Sequence, residues 1–85
     1  MNRYKLNKGF ISQKVNGKIT IFDGERSQLL TFNESASFIF GLIKKALPDE
    51  KIVESVVKKY KIGKIQALDD LKQLISELKK LDIIR

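Results

Sequence analysis

The chain has 85 residues, with 17 Lys and Arg against 10 Asp and Glu for a formal charge of +7, and its length fits one domain, residues 1–85, near the lower size at which a hydrophobic core suffices without staples. It contains no Cys and no His, which excludes disulfides, thiolate nucleophiles, imidazole bases and the usual zinc spheres, so no catalytic residue, metal ligand or cofactor is expected and the chain does not read as an enzyme. The opening stretch MNRYKLNKGF lacks the apolar core of a secretory signal, and the longest apolar run, FIFGLI, is far shorter than the roughly 20 residues of a membrane span; the expectation is a soluble cytoplasmic protein with no membrane partner.

The first elements read as strands. GFISQKV (Gly9 to Val15) and KITIFD (Lys18 to Asp23) flank Asn16-Gly17, and both of these residues accept the positive φ of a type I′ turn, so a hairpin is predicted. A two-residue loop sets Val15 opposite Lys18 and Ile11 opposite Phe22, leaving Phe10, Ile19 and Ile21 on the other face. Apolar groups then occur on both faces. Ile19 and Ile21 are the choice for the buried side, and a bulge or longer loop would change the register. Asp23 to Arg26 forms a second turn, after which Ser27 to Phe32 returns as a third strand beside the second. In that meander the third strand is an edge, and it carries neither Pro nor charge to blunt its unpaired backbone groups.

At Asn33 the two-residue alternation changes to a helical period. Ala36, Ile39, Phe40, Ile43 and Leu47 recur on one face of a helix from about Glu34 to Lys45. The Asn33 side chain can cap the first turn, and Glu34 sits at the positive end of the helix dipole. Gly41, inside this helix, reads as a close-packing site. Leu47-Pro48-Asp49 breaks the helix and opens another, whose stripe is Ile52, Val53, Val56, Val57 and Tyr60. Lys61 to Gly63 ends it. A third helix, about Gln66 to Lys80, sets Ala67, Leu68, Leu71, Leu74, Ile75, Leu78 and Leu81 on one broad face, and the Ile83-Ile84 tail should tuck onto the core.

The remaining motifs carry little chemistry. Asp69-Asp70 and Asp49-Glu50 are neighbours about 100° apart around a helix, so neither pair shares a proton or a metal easily; both read as N-terminal helix acids. No GxGxxG or GKS/GKT cradle occurs among the five glycines, so nothing holds a phosphate. The positive charge invites a nucleic-acid reading, because phosphate contacts dominate such affinity. The bases are mostly Lys, however, and spread through every segment. The third helix could serve as a recognition helix, but Asp69, Asp70 and Glu77 are interleaved with Lys72, Lys79 and Lys80, and Arg is absent from it.

The order of elements, with a joint reading LTFN-ESA-SFIFGLI and a last helix reading ALDDLKQLISELKKLDII, resembles the PqqD-like family, the peptide-recognition domains of ribosomal peptide-modification pathways. In that family a strand ending in Leu-Asn leads into a helix of the form A-x-x-I-x-x-L. Here Phe32-Asn33 stands for Leu-Asn, while Ala36, Ile39 and Leu42 occupy the helix positions. The family's D-L-x-x-L-I-x-x-L falls on Asp70, Leu71, Leu74, Ile75 and Leu78, and its terminal Gly-Leu-Ile resembles Asp82-Ile83-Ile84. Phe32 for Leu and Asp82 for Gly are departures that remove no functional group.

The resemblance implies an α+β, winged helix-turn-helix-like fold, a three-stranded antiparallel meander followed by three α-helices. It also implies that the domain binds the leader segment of a precursor peptide and presents it to a separate modifying enzyme or leader peptidase. Lasso-peptide, radical-enzyme and quinone-cofactor pathways all remain open. An unblunted edge strand beside an amphipathic helix is compatible with that role, because an extended peptide can add to it as a fourth strand. The expected peptide-binding residues are Ser27, Gln28, Leu29, Leu30, Thr31 and Phe32 on the strand, with Asp70, Leu71, Lys72, Leu74 and Ile75 walling the groove. Leu71 and Leu74 fit the core equally well. The Lys excess would steer a leader rich in Asp and Glu. A winged-helix nucleic-acid binder and a subunit-bridging domain that dimerises through its open edge are the alternatives.

Overall fold

The computed structural model describes residues 4–84. Its first hairpin joins β1 (Phe10–Val15) to β2 (Lys18–Asp23) through Asn16 and Gly17, whose φ of 52° and 79° are the left-handed values a type I′ turn requires. Val15 faces Lys18 and Ile11 faces Phe22, the register the two-residue loop predicts. Ile19 and Ile21 are buried against the helices, while Ile11, Val15 and Phe22 stay exposed on the outer face.

The return from β2 is organised by Asp23. Its Oδ1 accepts from the amides of Glu25 at 3.0 Å and Arg26 at 3.3 Å, an Asx turn that bends the chain back. Ser27 then takes a left-handed φ of 50°, so β3 spans Gln28–Thr31 rather than Ser27 to Phe32. At its far end β3 runs into a junction with the first helix. Phe32 donates its amide to the Ile19 carbonyl at 2.9 Å, but the return rung is interrupted. The Ile19 amide donates instead to Ser37 Oγ at 2.8 Å, and that hydroxyl donates onward to the Phe32 carbonyl at 3.4 Å. A buried serine thus bridges the ladder where the sheet meets the helix. The sheet order is β1-β2-β3, leaving β3 as an edge.

Helix α1 (Glu34–Lys44) begins where expected, with Asn33 Oδ1 accepting the Ala36 amide at 2.8 Å. Helix α2 (Asp49–Tyr60) follows Pro48 and ends at Lys61, which is left-handed. Helix α3 (Lys64–Lys80) starts two residues before the Gln66 read from periodicity. Its first turn is already closed by the Ala67 amide on the Gly63 carbonyl, but Ile65 points to solvent, so the apolar period only begins at Ala67. Ile21 from the sheet, Ile39, Phe40 and Ile43 from α1, Ile52 and Val56 from α2, and Leu71 and Leu78 from α3 form one buried cluster. The ring centroids of Phe32 and Phe40 lie 5.4 Å apart in a tilted pair, which ties the end of the edge strand to the core.

One expectation fails here. A Cβ added at Gly41 would meet no atom within 4 Å, so this glycine is not a close-packing site; it faces an open cleft between β1 and α1.

The tail does fold back. Ile83 and Ile84 are buried, the Asn7 amide donates to the Ile83 carbonyl at 2.8 Å, and Leu6 pairs with Ile84. Asn7 Nδ2 also reaches the Asp82 carbonyl. From the second turn, Arg26 donates to the Leu81 carbonyl at 3.0 Å and meets the Asp82 carboxylate at 3.3 Å. Among the described residues no helix is long and apolar enough to cross a membrane.

Candidate functional site

The bond from the Phe32 amide to Ile19 sets the phase of the whole edge strand. In an extended strand the N–H and C=O of one residue point to the same side and those of the next to the opposite side. Phe32 faces β2, so Leu30 and Gln28 do too, and the backbone groups of Leu29 and Thr31 face away from the sheet. A second observation agrees. Thr20 and Thr31 are paired and their hydroxyls lie 3.2 Å apart, as suits a non-hydrogen-bonded pair, in which side chains approach most closely. The open edge therefore presents the amides and carbonyls of Leu29 and Thr31.

Beside this edge runs a groove in two connected parts. The first, about 430 Å³, lies between β3 with the start of α1 and one flank of α3, with Leu30, Phe32, Ala36, Ile39 and Leu74 among its walls. The second, about 250 Å³, continues past Leu30 and Leu81 to Phe10, Ile21 and Ile83. The α3 flank consists of Asp70, Gln73, Leu74, Glu77 and Leu81. These recur at intervals of three and four and so lie along one line of the helix. The buried face of α3, Ala67, Leu71, Leu74, Ile75 and Leu78, is centred roughly a quarter turn round from that line, and Leu74 belongs to both.

The strand residues expected at the site fall as follows. Leu30, Thr31 and Phe32 line the first hollow, together with Asp70 and Leu74 from α3. Gln28 and Leu29 line the second. Ser27 belongs to the turn and lines neither. Leu71, at 1% exposure, and Ile75, at 8%, are core residues that support the wall from behind. Lys72 lies two residues from Asp70, about 200° round the helix, and lines neither hollow. Sequence reasoning missed Gln73, Glu77 and Leu81, although each follows from Asp70 by helical spacing. It also missed Phe10 and Ile83, which the fold brings in from the two ends of the chain.

The charge of the groove is opposite to that of the chain. No Lys or Arg lines either hollow, and the charged residues that do are Asp23, Asp70 and Glu77. Asp23 is already engaged by the turn amides and lies 3.8 Å from Arg26. Asp70 accepts from Gln66 Nε2 at 2.8 Å through one oxygen. Glu77 is exposed and carries no ion pair among the described residues. The same residues include no group of His, Cys, Asp and Glu that could hold a metal ion.

Comparison with known proteins places the fold. The family model for coenzyme PQQ synthesis protein D (PqqD) matches residues 19–84. Among solved structures, TbiB1 in complex with the TbiA(beta) leader peptide superposes with a TM-score of 0.89 at 15% identity, over 95% of this chain and 94% of that one. Lasso peptide synthetase B1 complexed with the leader peptide gives 0.90 at 14% identity, over 99% of each chain. At these identities the likeness is one of fold, and it matches the α+β, winged helix-turn-helix-like order of three strands and three helices. A search of curated proteins gives no match. With the match running from the central strand through every helix to the tail, the chain belongs to the PqqD family.

Proposed function

We propose that this chain binds the leader segment of a ribosomally synthesised precursor peptide, adds it to β3 as a fourth strand, and presents it to a separate modifying enzyme or leader peptidase. The module binds and presents; the chemistry belongs to its partner. The observation that carries the reading is the coincidence of open ladder groups at Leu29 and Thr31 with a partly apolar groove along the same edge. Backbone bonds to those groups would give affinity in any sequence, and the groove would supply choice among side chains. Family membership supports the role. Both structural neighbours are leader-peptide complexes, one of them of a lasso peptide synthetase, which favours a lasso-peptide pathway.

The test follows from the ladder phase. Thr31→Pro removes an amide that faces the incoming strand and leaves the rungs to β2 in place, so it should abolish binding of a synthetic leader from a precursor reading frame beside the gene. Leu30→Pro is not equivalent, because the Leu30 amide faces Ile21 and its loss damages the sheet. Backbone-amide NMR with the wild-type chain should show shifts confined to Gln28 to Asn33 and the Asp70-to-Leu81 flank, with duplex DNA as control. Unchanged affinity in both Leu29→Pro and Thr31→Pro, with the fold intact, would eliminate strand addition.

A further inference from the structure

A strand added along β3 would alternate its side chains between two environments. Residues opposite Leu29 and Thr31 would face outward with the exposed row of Ile11, Phe22 and Leu29, which lie side by side across the three strands. Residues opposite Leu30 and its alternate neighbours would face inward, toward the α3 flank. That flank offers an apolar floor, Leu74 with Leu30, between two carboxylates, Asp70 and Glu77. The two acids are seven residues apart on α3, about 10 Å along its axis at 1.5 Å per residue. Successive inward positions on a strand are about 7 Å apart, so side chains at one or two of them can reach both acids.

We infer that the groove selects a peptide with Lys or Arg at an inward-facing position of the added strand, next to apolar inward neighbours. This rests on the strand-addition reading above and specifies what that strand must carry. A Lys or Arg there lays its aliphatic stem on Leu74 and Leu30 while its cationic head reaches the acids at the rim. Neither acid has an ion pair among the described residues; Asp70 accepts one bond, from the neutral Gln66 amide, and keeps its charge. No basic side chain of the chain itself lines the groove to compete. The overall charge of +7 does not reverse this preference, because at physiological salt charges beyond about 8 Å are largely screened whereas contact pairs are screened less. A leader acidic overall is therefore compatible with a cation at this one position.

The test is selection of a displayed library of random 12-residue peptides against the full chain and, in parallel, against the Asp70→Asn/Glu77→Gln double variant. The enriched peptides are then measured by fluorescence anisotropy against both and against Thr31→Pro. The expected result is Lys or Arg enriched in the same period-two frame as apolar residues on the wild type and absent on the double variant. Affinity should fall up to about fivefold for each acid neutralised, and Glu77→Lys should shift the preference toward Asp and Glu. Peptides that lose binding in Thr31→Pro but show no basic enrichment, or keep their affinity for the double variant, would overturn the charge preference while leaving strand addition standing. A selection that yields no binders, or only peptides indifferent to Thr31→Pro, would overturn strand addition and this inference with it.

Discussion

Replacing Ser37 with Ala tests whether the bridged rung between β2 and β3 is structural. The Ser37 hydroxyl accepts from the Ile19 amide at 2.8 Å and donates to the Phe32 carbonyl at 3.4 Å, and the serine is only 3% exposed. The longer contact is weak, but the shorter one is the Ile19 amide's partner, and without it a buried donor is orphaned at a cost of about 1–3 kcal/mol. Alanine recovers part of this as the better helix former, about 0.5 kcal/mol. The net expectation is a loss of about 0.5–2.5 kcal/mol, which for a domain of this size lowers Tm by roughly 2–20 °C. Urea and thermal unfolding followed by circular dichroism would measure it. Ser55→Ala is the matched control, since Ser55 sits inside α2 and bonds back to the Lys51 carbonyl at 2.9 Å, a bond that does not help a helix; its replacement should be neutral or slightly stabilising. If Ser37→Ala lies within 0.5 kcal/mol of that control, the bridged rung contributes nothing and the account of the strand–helix junction is wrong.

Gly41→Ala should stabilise the fold by about 0.5–1 kcal/mol, because the position is inside a helix and a Cβ there meets open space; a lower urea midpoint would contradict it. Asn33→Ala removes the cap on the Ala36 amide at 2.8 Å and should cost about 1 kcal/mol in the same assay. The Tyr60 phenol is held above its ordinary value of 10.0, first by burial and then by Glu34. In a Tyr4→Phe background its phenolate absorbance should therefore emerge above pH 10. Because the folded state binds this proton more tightly than the unfolded chain, its contribution to stability is complete below pH 10 and declines as pH rises through the raised folded value.

Much of the fold could be read because its punctuation is chemical. Asn16-Gly17 favours a type I′ turn, and that turn sets the register that buries Ile19 and Ile21. Asn33 is both the end of the alternation and a cap, so the junction could be placed to the residue. Ser37 could not be recognised, since a serine one turn into a helix looks the same whether it faces solvent or completes a ladder. Gly41 was read as close-packed because glycine inside a helix usually needs a reason, and here its surroundings supply none. At the groove, Asp70 and Leu74 could be named from the helical pattern, but Leu71 and Lys72 were grouped with them as neighbours in sequence. Consecutive helical residues point 100° apart, so the line of the wall continues to Gln73, Glu77 and Leu81 instead. Phe10 and Ile83 join the groove only through tertiary contacts, for which no local pattern exists.

Leu81 and Ile83 border the second hollow, and the segment that carries them is clasped by Arg26 on one side and Asn7 on the other. Any coupling between filling of the hollow and the contacts of this clasp is reciprocal. Whatever free energy a closed clasp contributes to occupancy, occupancy returns to the clasp. Slower hydrogen exchange of the Asn7 amide, outside the groove, would then report a filled groove, and a weakened Arg26 contact would be felt as a lower affinity by a ligand that never touches it.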